Sequence, residues 1–314
     1  MNLLPVRLAH ALEPESSNER WLVDRLWGEA AVGIVGGEPK CCKSFLALEL
    51  AVAVASGRPC LGRYRVERSG PVLLFAAEDS TRIVRARLEG IATARGERLE
   101  DLQIHVIVAA TVRLDQSADR ERLWNTVASI RPRLLILDPF VRLHRIDENA
   151  SGDVAPLLAF LRELNREHKV AVIVVHHAKK GGGSQRAGQT LRGSSEFHAW
   201  GDSNLYLARR ASALMMQVEH RAAPSIEDLR LELRSDTRTN APALEIVVGE
   251  STVESTGSTE ERIIAVLHDE ARGLRVAELR SRTRMRMQTL VEALRRLVEA
   301  GRVLRDDDGV RLAD

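Results

Sequence analysis

The chain has 314 residues, and its 46 lysines and arginines nearly balance its 44 aspartates and glutamates, which leaves a formal net charge of +2. That length has room for one large domain and a small one. The hydrophobic fraction of 44% and the charged fraction of 29% are typical of folded globular proteins and exclude general disorder. Because the net charge is near zero, any surface that binds a polyanion must be local.

The apolar runs, such as residues 170–175, are much shorter than the roughly 20 residues that a bilayer span requires. The first 15 residues lack the apolar core of a secretion signal. The three cysteines, of which Cys41 and Cys42 are adjacent, do not make a disulfide framework. We therefore expect a reduced, cytoplasmic protein that does not bind a membrane.

From residue 30 onward, apolar strand-like runs alternate with segments of helical spacing, which predicts a mostly parallel sheet with helices on both faces. After residue 201 further strands follow one another without helices, which predicts an antiparallel extension of this sheet. The predicted strands are 32–35, 72–75, 104–108, 134–137, 170–175, 205–208, 214–218, 229–233 and 244–248, and the predicted helices are 44–56, 81–94, 119–130 and 154–168.

Composition divides the chain into four parts. An N-terminal segment, 1–29, precedes the main domain, 30–250, and a linker rich in Ser, Thr and Gly, 251–258, leads to a C-terminal domain, 259–314. In this last domain we predict three helices, over 260–267, 276–282 and 287–300, followed by a β-hairpin over 303–312.

The most specific motif is a candidate phosphate-binding loop between the first predicted strand and the first predicted helix. In such a loop, backbone N–H groups and the helix N-terminus surround the phosphates. We expect Lys43 to neutralise the β- and γ-phosphates of ATP and the Ser44 hydroxyl to ligate Mg²⁺. Cys42 departs from the pattern, because a second glycine is expected there. The loop consists of Gly37, Glu38, Pro39, Lys40, Cys41, Cys42, Lys43 and Ser44.

Acidic residues follow two of the apolar strands. Asp138 ends the strand 134–137, a position that brings a carboxylate to Mg²⁺. Glu78 and Asp79 follow the strand 72–75, and one of them could polarise the attacking water as a general base. Glu78 is favoured because it comes first after the buried run, whereas Asp79 is also suited to cap the next helix. His176 and His177 end the strand 170–175 and suggest a sensor of the γ-phosphate.

Together, these motifs resemble those of the RepA-type hexameric replicative helicases, which belong to the RecA-like ATPases. The resemblance covers roughly residues 30–248 and implies a RecA-like P-loop NTPase fold that hydrolyses ATP at the subunit interfaces of a ring and moves on single-stranded DNA. The matching segments are 37–44, 77–79, 137–142, 148–152, 176–178 and 192–195.

The resemblance also implies roles for individual residues. By position, Lys43 and Ser44 take the phosphate and Mg²⁺ roles, Glu78 is the catalytic base, Asp138 is the second-strand acid and His177 is the sensor.

The trans-acting arginine of the RepA helicase has no counterpart at its usual position, which is Asp202 here. Related RecA-like ATPases insert a basic pair from a hairpin strand into the neighbouring site. His220-Arg221 stands in the corresponding place, so Arg221 is the predicted arginine finger. Arg209 and Arg210 are weaker alternatives.

Two basic regions are candidates for DNA binding. Residues 179–192 contain four basic residues, several glycines and no acid, which suits a grip on the phosphate backbone of a single strand; a plain surface loop is the alternative. The C-terminal domain resembles a winged helix, whose third helix can enter a major groove. The predicted contacts are Lys179, Lys180, Arg186 and Arg192 in the first region and Arg282, Arg284 and Arg286 in the second.

We therefore expect an ATPase that uses ATP and Mg²⁺, forms a homo-oligomeric ring or filament and acts on DNA as a helicase or translocase of a plasmid or mobile element. Two other readings stay open: a nucleotide-switched DNA-binding regulator or recombination accessory factor with weak hydrolysis, and a winged helix that binds protein instead of DNA.

Overall fold

The computed structural model describes residues 4, 6–11, 21–177, 196–210, 213–235, 242–247, 259–268, 273–283, 287–306 and 309–313. The chain forms two compact units, Met1–Val247 and Val248–Asp314. Among the described residues, no helix has the length and apolar character needed to cross a membrane.

In the first unit, the described residues form a sheet of nine strands, β3 to β11, preceded by a small hairpin of β1 and β2. Its strands are β1 (Trp21–Val23), β2 (Trp27–Gly28), β3 (Val32–Gly37), β4 (Val72–Ala76), β5 (Ile104–Val106), β6 (Leu134–Asp138), β7 (Ala171–His177), β8 (Ser203–Arg210), β9 (Ala213–His220), β10 (Leu229–Ser235) and β11 (Pro242–Ile246). Its helices are α1 (Lys43–Ser56), α2 (Thr81–Ala94), α3 (Ser117–Ile130), α4 (Ser151–His168) and α5 (Glu196–Trp200). Short 3-10 helices span Ala9–Ala11, Leu99–Asp101 and Phe140–Arg142.

The strand order of the sheet is β11-β10-β9-β8-β3-β7-β6-β4-β5. The strands from β8 to β5 pair in parallel, and β9, β10 and β11 extend the sheet in antiparallel fashion. Helices α1 and α2 cover one face, and α3 and α4 cover the other, so that each face has its own hydrophobic core. The predicted α/β architecture, with its antiparallel C-terminal strands, is confirmed.

Some boundaries differ from the sequence prediction. Strand β5 ends at Val106, not at residue 108; among the described strands it pairs only with β4 at the edge of the sheet, and Val108 is 76% exposed. Helices α3 and α4 begin two and three residues earlier than predicted, at Ser117 and Ser151. Their first turns are polar and therefore give no signal of apolar periodicity.

The described residues of the second unit form three helices followed by a two-stranded antiparallel hairpin. Its core includes Ile263, Leu267, Leu279, Leu290 and Leu294. The elements are α6 (Thr259–His268), α7 (Val276–Thr283), α8 (Met287–Glu299), β12 (Val303–Asp306) and β13 (Gly309–Leu312).

Candidate nucleotide-binding site

The loop between β3 and α1 has the backbone of an anion-binding concavity. Lys40 and Cys42 adopt left-handed conformations, with φ of 63° and 61°. Residues in this conformation turn successive N–H groups of a loop toward a common point, where an anion binds. Gly37 opens the loop where a Cβ atom would lie 2.3 Å from the carbonyl oxygen of Leu207, so only glycine fits. The backbone therefore has the form that a phosphate-binding loop requires.

Cys42 shows how a side chain is accommodated at the position of the second glycine. Its left-handed backbone, which directly precedes α1, is one that glycine adopts freely and that costs another residue about 1 kcal/mol. The thiol is half-buried and packs against the core beneath α1. Burial raises the pKa of the Cys42 thiol, so the group is neutral at physiological pH.

Lys43 is only 5% exposed, and its Nζ donates a hydrogen bond of 2.7 Å to the carbonyl oxygen of Glu38. Burial lowers the pKa of Lys43, while the carboxylates of Asp138 and Glu78 oppose this shift. The ammonium group thus lies across the loop, held by one carbonyl, with two further hydrogens available to phosphate oxygens.

Asp138, at the end of β6, accepts a hydrogen bond from the Ser44 hydroxyl. Burial raises the pKa of Asp138 to about 6, and the nearby carboxylates of Asp79 and Glu78 add to the shift. A partly buried carboxylate beside two other acids is stabilised by a cation, and carboxylate and hydroxyl oxygens suit Mg²⁺. Among the described residues no group of three or more His, Cys, Asp or Glu side chains forms a metal site by itself. The pair therefore fits an Mg²⁺ ion that also binds nucleotide phosphates.

The two acids that follow β4 have different partners. Glu78 is exposed and lies 3.0 Å from Nε of Arg142, which belongs to the 3-10 helix after β6. Asp79 forms an ion pair with Arg87 of α2. The N-cap of α2 is Ser80, not Asp79, because the Ser80 hydroxyl accepts the hydrogen bond at the first turn. Glu78 is thus the acid that faces the open side of the site.

The histidine pair occupies the end of β7, next to the phosphate loop. His177 is the register partner of Gly37 in the parallel ladder of β3 and β7, so it lies beside the first residue of the loop. His176 is 2% exposed and contacts the ring of Phe197, with ring centroids 4.3 Å apart. Burial lowers the pKa of His176 to about 4. Of the two, only His177 is placed to approach a nucleotide.

Sequence reasoning missed a buried polar cluster behind the site. An oxygen of Glu148 lies 3.3 Å from Nε2 of His144, and its other oxygen lies 3.7 Å from Nε2 of His176. Burial alone would raise the pKa of Glu148, but its contacts with the two histidines lower it. The local sequence gives no signal of this cluster, because His144 and Glu148 precede α4 and lie outside any helix.

Arg221 lies at the opposite edge of the sheet from the phosphate loop. It follows β9, whose last residue pairs with the first residue of β8, Ser203. Its guanidinium is 3.6 Å from an oxygen of Asp202 and donates to the carbonyl oxygen of Ala199. The structure does not bring Arg221 to the phosphate loop of its own chain.

Most of the predicted DNA contacts lie outside the described residues: Lys179, Lys180, Arg186 and Arg192 in the first region, and Arg284 and Arg286 in the second. Arg282 is exposed near the end of α7. Helix α8 itself carries a balanced charge and exposes Met287, Val291 and Val298. Of the three predicted contacts in the C-terminal domain, Arg282 therefore lies on α7 and not on α8.

The order of the strands, the phosphate loop and the acid at the end of β6 define a RecA-like P-loop ATPase fold. Residues 1–183 match the AAA_25 family of AAA domains, and the chain belongs to this family.

Two solved structures are similar to the chain. A DnaB-like replicative helicase, described with its interactions with primase, is 14% identical with a TM-score of 0.52; the match covers 68% of this chain and 57% of the helicase. The RadB recombinase is 19% identical with a TM-score of 0.48, over 66% of this chain and 88% of the recombinase. The first similarity supports the RecA-like fold. The chain spans little more than half of the helicase that it matches.

Proposed function

We propose that this protein hydrolyses ATP and uses the energy to act on DNA, as a RepA-like replicative helicase or DNA translocase that assembles into a ring or filament. The observation that carries the ATPase proposal is the convergence of Lys43, the bonded pair of Ser44 and Asp138, and Glu78 at one edge of the sheet. These groups come from three separate segments of the chain and are the set that phosphoryl transfer to water requires.

The chemistry follows from the placement of each group. The loop N–H groups and Lys43 bind the phosphates and stabilise the negative charge that develops on the γ-phosphate. Ser44 and Asp138 would hold Mg²⁺, which would supply further positive charge near the phosphates. Glu78 accepts a proton from the attacking water once Arg142 no longer holds its carboxylate. His177 senses the γ-phosphate from the adjoining strand end.

The DNA part of the proposal rests on sequence and on resemblance. The predicted contacts to single-stranded DNA begin two residues after His177, so a short stretch of backbone connects them to the predicted γ-phosphate sensor. They are Lys179, Lys180, Arg186 and Arg192. The three helices and hairpin of the C-terminal unit support a winged helix, in which Arg282, Arg284 and Arg286 would contact duplex DNA.

Arg221 is proposed as the finger for a neighbouring subunit. Its distance from the phosphate loop of its own chain is compatible with action in trans, but only if the pair with Asp202 opens on assembly.

A second candidate function is a nucleotide-controlled DNA-binding regulator with little turnover. Two observations favour it: the side chain at Cys42 in place of glycine, and the ion pair that occupies Glu78. Strand displacement with DNA-stimulated turnover supports the motor, whereas ATP-dependent duplex binding without turnover supports the regulator.

The first test compares ATP hydrolysis and nucleotide binding of the wild type and Lys43→Ala. The variant should lose hydrolysis and bind nucleotide much more weakly, because among the described residues no other buried ammonium crosses the loop. Lys169→Ala, at the opposite end of β7, is the control and should behave as the wild type. Unchanged turnover in Lys43→Ala would refute the phosphate-loop assignment.

The second test separates the two DNA regions. Replacement of Lys179, Lys180 and Arg186 by alanine should remove stimulation by single-stranded DNA, preserve basal hydrolysis and reduce the salt dependence of binding by about two to three phosphate contacts. Removal of residues 258–314 should spare that stimulation and weaken duplex binding. The reverse pattern would assign the binding of single-stranded DNA to the C-terminal domain.

A further inference from the structure

Arg209 lies beside the phosphate loop of its own chain. The parallel ladder of β3 and β8 pairs Gly37, the first loop residue, with Leu207, so Arg209 is two residues beyond the loop opening on the adjacent strand. Alternate residues of a strand share a face. Leu205 and Leu207 point into the core beneath α1, and Arg209 therefore lies on the face of the sheet that carries α1.

The guanidinium of Arg209 is exposed and forms no hydrogen bond or ion pair with any residue that the structure describes. Its place beside the loop follows from the strand register, since Arg209 is two residues beyond Leu207, the partner of Gly37. Its neighbour Arg210 is different: it lies 3.3 Å from a carboxylate oxygen of Asp228. Arg210 is thus paired with an acid of its own chain, whereas Arg209 lies beside the anion-binding loop without such a pair among the described residues.

We propose that Arg209 binds the phosphate chain of the nucleotide held by the loop of its own chain. The strand order fixes which part of the phosphate chain it meets. Strand β8 flanks β3 on one side, whereas β7, β6 and β4, which carry His177, Asp138 and Glu78, lie on the other. The attacked γ-phosphate lies toward the acids, so Arg209 contacts the α- and β-phosphates. This inference rests on the proposed function, and it differs from a finger that acts on a neighbouring subunit.

This position predicts a particular kinetic effect. A contact to the α-phosphate, whose charge is constant during hydrolysis, stabilises the bound ground state and the transition state equally, whereas a contact to the β-phosphate, which gains charge as the leaving group, also stabilises the transition state. Loss of the Arg209 contact therefore raises KM, with a smaller decrease in kcat. Charge-assisted hydrogen bonds of this kind contribute about 10- to 100-fold in affinity.

The test measures binding of fluorescent ADP and ATP analogues to the full-length wild type, Arg209→Ala, Arg209→Lys and Arg210→Ala. Arg209→Ala should bind both analogues about 10- to 100-fold more weakly, Arg209→Lys should recover part of the loss, and Arg210→Ala should match the wild type. Equal affinity in Arg209→Ala and wild type would overturn the inference. A wild type that binds neither analogue would refute the proposed function instead.

A mixing experiment distinguishes action within one chain from action between chains. Lys43→Ala and Arg209→Ala are combined in equal amounts, and ATP hydrolysis is measured under saturating nucleotide and at a concentration near the wild-type KM. If Arg209 acts within its chain, no site in the mixture has both residues, and the activity near KM stays at the sum of the separate variants. Recovery above that sum means that Arg209 acts on a neighbour's site, which overturns the assignment.

Discussion

Asp138 and Asp202 lie beside strand ends at opposite edges of the central sheet, and their carboxylates have different surroundings. Asp202 accepts a hydrogen bond of 3.3 Å from the Val32 N–H and forms ion pairs with Arg162 and Arg221. Asp138 accepts a hydrogen bond from Ser44 and lies near Lys43, but its burial and the nearby acids Asp79 and Glu78 outweigh both influences and raise its pKa to about 6. The carboxylate of Asp202 is thus neutralised by ion pairs within the protein, whereas the surroundings of Asp138 disfavour its charged form.

This difference distinguishes structural charges from binding charges. At the edge with Asp202, two arginines and a backbone N–H join β3, β8 and α4, so the charges stabilise the fold. At the edge with Asp138, burial raises the carboxyl pKa to about 6 despite the nearby Lys43, so the charged carboxylate is unfavourable in the folded chain. Groups perturbed in this way cluster at functional sites.

The largest expected effect is on ATP hydrolysis and concerns Glu78, at the edge of the sheet that carries the phosphate loop. Glu78→Gln should bind nucleotide as the wild type does and hydrolyse ATP slower by roughly two to four orders of magnitude, because the amide cannot accept the proton of water. Single-turnover hydrolysis measured beside equilibrium binding separates the two properties. Asp79→Asn is the matched control, since Asp79 pairs with Arg87 and should affect turnover less. If Asp79→Asn gives the large loss and Glu78→Gln does not, the two roles are exchanged.

His176 predicts the next largest effect, on stability against pH. Its folded pKa of about 4 lies below the ordinary value of 6.5, so between these two pH values the unfolded chain binds a proton that the folded chain does not bind. Stability therefore falls as pH drops from about 6.5 to 4, by roughly 3 kcal/mol in total. His176→Phe, whose ring fits beside Phe140 and Phe197, should have a flatter profile between pH 6.5 and 5 in urea unfolding.

The control for that profile is His105→Phe, because His105 is exposed on β5 and should leave the slope as in the wild type. The cluster partner Glu148 has a lowered pKa, so its own contribution is lost only below about pH 4.5, outside the compared window. A wild-type slope in His176→Phe would show that the buried histidine is not the source of the pH dependence.

The comparison of the two aspartates predicts effects of opposite sign. Asp202→Asn removes the charge that neutralises Arg162 and Arg221 and should lower the free energy of unfolding by about 2 kcal/mol. Asp138→Asn removes an unfavourable charge and should leave the nucleotide-free protein unchanged or about 1 kcal/mol more stable. In thermal unfolding, MgATP should stabilise Asp202→Asn but not Asp138→Asn. Equal destabilisation by both variants would show that Asp138 stabilises the fold as Asp202 does, and the contrast between the two edges of the sheet would be wrong.

The smallest effect concerns Cys42. Glycine there relieves the left-handed strain but adds freedom to the unfolded chain, so Cys42→Gly should change stability by less than about 1 kcal/mol and preserve or raise turnover. Cys42→Ala keeps the strained backbone and removes the thiol, which makes it the matched control. A large loss of turnover in both variants would give the thiol its own role.

Much of the site followed from local sequence. A strand, a loop and a helix are contiguous, so the sequence alone predicted that Lys43 and Ser44 begin α1 beside the phosphates. Asp138 and His177 were predictable for the same reason, because the ends of apolar parallel strands meet at one edge of a sheet.

Only the tertiary structure decided which charged residues form ion pairs and which are available to bind a ligand. The pairs of Glu78 with Arg142 and of Asp202 with Arg221 join segments that are distant in sequence, and no local pattern encodes them. The contrast between Arg209 and Arg210 depends on the register of β8 against β3, because a shift by one residue would exchange their faces. The antiparallel pairing of β9 with β8 carries Arg221 to the far edge of the sheet; the sequence predicted antiparallel strands here, but only the folded sheet shows that Arg221 meets Asp202.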